Sequence, residues 1–215
     1  MILSPGRRFI FVHIPKTGGT SLAMALEARA HKDDILIGDT PKAVKRRGRL
    51  RKLTPKGRLW KHSTLADIDG ILSPEEIAGM QCVTLVRNPW DRMVSYYHWL
   101  GGQTFAHPAV TLAKTLGFAD FLHHEDSVRT LKAWPTRRYL TDAQGTEHPA
   151  IHIRLEHLDT DAGALWDHLG FRLAIPHENR SLRRAYQDYY DPALAAHVAT
   201  LCAEDIARFG YRFDS

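Results

Sequence analysis

Residues 13–21 read His-Ile-Pro-Lys-Thr-Gly-Gly-Thr-Ser, placing one Lys, two adjacent glycines and three hydroxyl side chains within nine positions. That set suits a compact anion. Gly18 and Gly19 let the backbone come close without a Cβ in the way. Thr17, Thr20 and Ser21 offer hydroxyl donors, and Lys16 a mobile positive charge. The Lys precedes the glycines, so the nucleoside-triphosphatase order GxxxxGK[ST] cannot be written onto the stretch. A second pair, Arg87 and Ser95, supplies a fork donor and a hydroxyl eight residues apart. Nucleoside triphosphate chemistry asks for an Asp at a neighbouring strand end to hold magnesium. The apolar run 81–86 leads into Arg87 instead, a cation that repels a metal and attracts a phosphate. The residues point to a ligand with two separated phosphate groups, held without a metal.

These side chains need a frame. Residues 8–14 and 81–87 are continuous apolar, β-branched runs without polar alternation, as in strands of a parallel sheet covered on both faces. Each leads into a helix, the first starting around Gly19–Thr20 and the second at Asn88-Pro89, with Pro89 at the first helical position. A helix entered after strand and glycine turn presents unpartnered N–H groups and its dipole to an anion. Ser73-Pro74-Glu75-Glu76 signals a short helix with a capping box. Residues 150–156 read as a further strand, 159–170 as a helix closed by Gly170, and the run from Asp191-Pro192 through Ala207 as a C-terminal helix. No repeat or linker divides the sequence, so the expectation is α/β: a single three-layer domain over residues 1–215, with a central parallel sheet flanked by helices.

Composition is that of a soluble globular chain: 215 residues, 44% hydrophobic and 25% charged. No apolar run reaches membrane-span length and no signal-peptide layout opens the chain, so a cytoplasmic protein without an integral membrane segment is expected. Cys82 and Cys202 lack zinc-type spacing and read as buried free thiols. The net charge of +5 is local. Residues 41–61 hold ten Lys or Arg and no acid, and the remaining 19 basic residues are outnumbered by 24 acidic ones. This segment reads as a basic loop insertion: either an anion-attracting rim for a nucleotide or acidic acceptor, or a solvated loop. With Trp60 its only aromatic, it is a poor match for nucleic-acid binding.

Taken together, the two phosphate motifs resemble those of sulfotransferases that use 3′-phosphoadenosine-5′-phosphosulfate (PAPS), most closely the bacterial branch related to carbohydrate (type 2) sulfotransferases. Residues 13–21 match the family pattern hIPKTGGTS. Residues 87–97 match RNPxxRxxSxY through Arg87, Asn88, Pro89, Arg92, Ser95 and Tyr97. Weaker likeness runs through 137–142, 153–158, 179–181 and the tail 189–213, and is least in 41–61. The resemblance implies a P-loop-like fold and a nucleotide-binding transferase. Lys16, Thr17, Gly18, Gly19, Thr20 and Ser21 would bind the 5′-phosphosulfate, and Arg87 and Ser95 the 3′-phosphate. PAPS would be the co-substrate and 3′-phosphoadenosine 5′-phosphate (PAP) the product, with no metal. The acceptor would be hydroxyl-bearing: carbohydrate, lipid or small metabolite.

Sulfuryl transfer to a hydroxyl needs a base for the acceptor proton and a cation for charge growing on the leaving oxygen. Lys16 fits the second role. His62, in the stretch LWKHSTLADI, is the candidate base, following the segment where the resemblance implies one near the sulfate. Asp67, Glu156, His123 and His124 are fallbacks, His13 reads as a packed or loop-supporting residue, and Arg183 and Arg184 could reach the nucleotide. Two other readings stay open on the residues: a nucleotide kinase or phosphotransferase, and a non-catalytic polyanion-binding module. Nothing in the sequence specifies oligomeric state.

Overall fold

Phe9–Val12 is a run of four apolar residues buried on both faces, and it forms a strand of a five-stranded sheet. The structure, a computed structural model, describes residues 1–175 and 184–214; the 179–181 stretch and Arg183 lie outside them. Two compact units emerge, one of Met1–Val86 with Thr136–Asn179 and the other of Arg87–Pro135 with Arg180–Ser215.

The first unit carries the sheet, making the fold α/β. Strands β1 (Ile2–Ser4), β2 (Phe9–Val12), β3 (Ile35–Leu36), β4 (Gln81–Val86) and β5 (Ala150–Arg154) lie in the order β3-β1-β2-β4-β5. The three strands read from sequence form its parallel part, with Phe9 opposite Gln81 and Cys82 opposite Ala150. The sheet is mixed, because β1 runs antiparallel to both β2 and β3. The 3-10 turn Pro5–Arg7, closed by Arg8 at φ 54°, folds β1 back onto β2. β1 and β3 span three and two residues, too short to show a period in sequence. Buried Thr84 fits in β4 because its hydroxyl donates to the Val12 carbonyl at 2.8 Å.

Helix α1 (Gly19–Ala28) lays Leu22, Ala23 and Leu26 against Phe9, Phe11, Val83, Leu85 and Ile153. Burial of that face, at about 1.5–3 kcal/mol per large side chain, is what holds the helix on the sheet. The basic segment is partly helical: α2 (Pro41–Arg46) begins at a Thr40 cap and runs into a 3-10 turn, Arg47–Lys52. The helix α3 (Pro74–Ala78) has both capping-box bonds expected from Ser73 and Glu76. The run 159–170 is two helices, Leu158–Asp161 and Gly163–Leu169. Gly163 follows the break, and the Asp161 carboxylate is drawn back onto the Arg154 side chain (2.7 and 3.0 Å).

The second unit is helical. Its longest element is α4 (Pro89–Gly101), started by the Asn88 side chain, which accepts from the N–H groups of Trp90 and Asp91. Asn88 is fully buried, and its amide also donates to the Arg212 carbonyl at 3.0 Å. The C-terminal run divides at Cys202 into Pro192–Leu201 and Ala203–Phe209. Of the aromatic run on α4, Tyr97 packs on Phe118 and Phe121, while Trp99 is 37% exposed. Both cysteines are free, and burial pushes the Cys82 thiol up to about 12 and that of Cys202 to about 11. Among the described residues no helix is long and apolar enough to cross a membrane.

Candidate active site

Between β2 and α1 the chain turns through residues 13–18. Lys16 sits at φ 64° and Gly18 at φ 81°, so two of three consecutive residues are left-handed. For Lys16 this conformation costs on the order of 1 kcal/mol, tolerated where the surroundings fix the turn. Thr17 helps fix it. Its buried hydroxyl donates to the Ile14 carbonyl at 2.9 Å, so that proton is committed within the loop and Thr17 has its backbone N–H to offer an anion. Gly18, at the N-cap of α1, would place a Cβ 2.7 Å from the Leu155 side chain, and Gly19 would place one 2.3 Å from the His13 ring. Neither site has room for a side chain. Thr20 is half-buried and Ser21 buried on the first turn of α1; the Ser21 N–H donates to the Gly18 carbonyl at 3.2 Å, and the N–H groups ahead of it precede the first bond of the helix.

The fold brings His62 to the start of this loop, across 49 positions of sequence. Its Nδ1 lies 2.7 Å from the His13 carbonyl oxygen, and its ring meets that of His13 edge-on at 4.7 Å. A carbonyl only accepts, so Nδ1 carries the hydrogen and the neutral ring keeps its lone pair on Nε2. Burial pushes His62 down to about 4; the hydrogen bond to the His13 carbonyl opposes this, and Lys61 adds to it. His13 is held well below the usual imidazole range by burial, then by His62, with Lys16 among the nearby cations contributing. Both rings are therefore neutral at pH 7, and His62 has the electronic state of a proton acceptor.

The second unit gathers the other motif. Arg87 directs Nε and Nη2 onto one Asp91 carboxylate oxygen, at 2.8 and 2.6 Å. Arg87, Asp91 and Ser95 follow at intervals of four, and Ser95 is half-buried on α4. Asp91, absent from the sequence-based candidates, orients the Arg87 guanidinium; its signal is the four-residue interval.

Each fallback base has a local setting of its own. The Asp67 carboxylate accepts from the Thr64 N–H (2.7 Å) and hydroxyl (2.9 Å), which closes a local turn. Glu156 is exposed after β5. In the second unit, His123 packs its ring 4.2 Å from His197, while His124 accepts from the Asp126 N–H as a helix cap. Arg184 lies over the Tyr189 ring at 5.0 Å. Among the described residues, His31, Asp33 and Asp34 are the one group with ligand atoms close enough for a metal. The Asp34 carboxylate already accepts from the Ser4 hydroxyl and the His31 N–H.

No family model matches the chain, and no curated protein matches it. Among solved structures, the chain is similar to mouse sulfotransferase SULT7A1 complexed with PAP, at a TM-score of 0.47 and 14% identity, over 94% of this chain and 84% of that one. That likeness is too distant to carry residue roles.

Proposed function

We propose that the protein transfers a sulfuryl group from PAPS to a hydroxyl acceptor. One observation carries the reading: His62, with Nδ1–H fixed on the His13 carbonyl, stands at the head of the loop that holds Lys16. A proton acceptor and a cation are thereby attached to one strand–loop–helix turn. In the reaction, the acceptor hydroxyl gives its proton to His62 Nε2 as its oxygen attacks sulfur. The bond from sulfur to the 5′-phosphate oxygen breaks, and Lys16 stabilises the negative charge gathering on that oxygen. PAP leaves, and the proton passes from His62 to water.

Gly18, Gly19, Thr20 and Ser21, with the Thr17 N–H, hold the 5′ end through backbone donors, hydroxyls and the α1 dipole. Arg87 and Ser95 take the 3′-phosphate, with Asp91 setting the fork of Arg87. Arg87 follows β4 where phosphotransferases place a metal-binding Asp, so the chemistry proposed is sulfuryl rather than phosphoryl transfer.

Incubation of purified protein with PAPS and a cell extract, followed by mass spectrometry, tests this directly. Acceptors should gain the mass of one sulfuryl group with wild-type protein and not with His62→Ala. Magnesium-dependent phosphoryl transfer from ATP instead would overturn the assignment.

A further inference from the structure

Asp142 and His148 form a buried titratable pair in the first unit, 4% and 6% exposed, that the proposed chemistry does not use. His148 Nε2 lies 2.7 Å from Asp142 Oδ2; a carboxylate only accepts, so Nε2 carries the hydrogen. The other carboxylate oxygen accepts from the N–H groups of Gln144 and Thr146, at 2.9 and 3.0 Å. Both oxygens therefore act to close one hairpin, residues 139–148. Its arms also meet where the His148 N–H donates to the Leu140 carbonyl and where Thr141 bridges Glu147.

The segment of His62 is docked on this hairpin. The N–H groups of Leu65 and Ala66 donate to the carbonyls of Tyr139 and Thr141, each at 3.1 Å, and Leu65, Tyr139 and Leu140 are buried. Ser63, fully buried, accepts from the Trp60 N–H at 2.9 Å and closes the turn that carries His62. Thr64 is bonded in turn to the Asp67 carboxylate. The two residues between His62 and the docking point are thus both held, so a shift of the hairpin passes along a stiff link. A general base misplaced by about 1 Å loses on the order of a hundredfold in rate, so such a link bears on catalysis.

We propose that Asp142 and His148 are positioning residues: they set the hairpin on which the His62 segment docks, and through it the place of the imidazole. The role of His62 as base rests on the sulfotransferase reading; its mechanical link to the pair does not. An apolar pair could fill the same volume, but it has no fixed direction. A bond to the carboxylate, with the second oxygen on two N–H groups, permits one arrangement of the turn.

The test follows the His62 imidazole by NMR titration in the full chain, its signal assigned by loss in His62→Ala. In wild-type protein the midpoint should lie at about 4. His148→Leu breaks the bond to Asp142. It should raise the midpoint by about one unit or more, because a loosened segment admits water and relieves the burial that holds it down. The groups that act on His62, which are His13, Lys61, Asp39 and the Met1 amine, are unchanged in this variant. Transfer should lose about tenfold in kcat, with the KM for PAPS within about twofold. His148→Gln keeps a donor for Asp142 and should restore most of both. Asp142→Ser is the milder break: it leaves an oxygen for the Gln144 and Thr146 N–H groups, withdraws the partner of His148, and decides the matter if His148→Leu does not fold. Ser73→Ala, which removes the α3 cap, controls for lost stability alone and should leave the midpoint in place. An unmoved midpoint in the folded dyad variants, or an equal shift in Ser73→Ala, would overturn the proposal. Absence of transfer by wild-type protein would instead overturn the functional reading, with the titration still deciding this one.

Discussion

At the level of single residues, His62 decides most. Its position before a Ser-Thr turn could be read from sequence, but its Nδ1 partner could not, because the His13 carbonyl is supplied by tertiary folding. His62→Ala should abolish sulfuryl transfer while leaving PAP affinity within about twofold, as measured by calorimetry, since its proposed task is proton removal. The lowered His62 value also fixes a pH dependence. Folding holds this group near 4 against an ordinary 6.5, so its uncharged form is favoured in the native state. The contribution is fully present above about pH 6.5 and is lost as pH falls through about 4, to a total on the order of 3 kcal/mol. Urea unfolding across that window should show the fall, and His62→Phe should flatten part of it. Transfer activity should correspondingly keep its plateau down to about pH 5; an acid limb centred at 6.5 would show that the base is a different group. Gly18 and Gly19 were legible as a close-approach pair, but what approaches them within the chain, Leu155 and the His13 ring, was not.

Elements whose boundaries are set by local chemistry could be read; those set by packing could not. Asn88-Pro89, Ser73-Pro74 and Asp191-Pro192 each start a helix where expected, because a cap and a first-turn proline act within a few residues. The break at Ala162 depends on the pull of Arg154 on Asp161, and the pairing of β1 on β2, which makes the sheet mixed, depends on a turn closed by a left-handed Arg8. Two substitutions probe these elements. Asn88→Ala removes the α4 cap and the buried amide's bond to the Arg212 carbonyl, so urea unfolding should show a loss of about 2 kcal/mol, with Asn88→Asp intermediate. Gly19→Ala forces a methyl group into the His13 ring. It should cost about 1–3 kcal/mol and, by moving the carbonyl that orients His62, lower kcat more than it raises the KM for PAPS.

For the chain as a whole, the sequence conveyed the class of fold through two buried apolar runs, which became β2 and β4, and a further strand, which became β5. It did not reveal that the chain divides into a sheet-bearing unit and a helical one, since no linker marks the passage from Val86 to Arg87. The proposed donor reading gives each motif a role, Lys16–Ser21 and Arg87 with Ser95, so a binding experiment that interrogates each motif tests the claim at its root. Isothermal titration of PAP into the wild-type protein should show saturable binding that is the same with magnesium and with EDTA. Lys16→Gln and Arg87→Ala should each weaken it by at least about tenfold, the loss expected for one charge-assisted contact to a phosphate. No heat of binding for PAP, or saturable binding only for ATP with magnesium, would contradict the assignment of this protein to sulfuryl transfer.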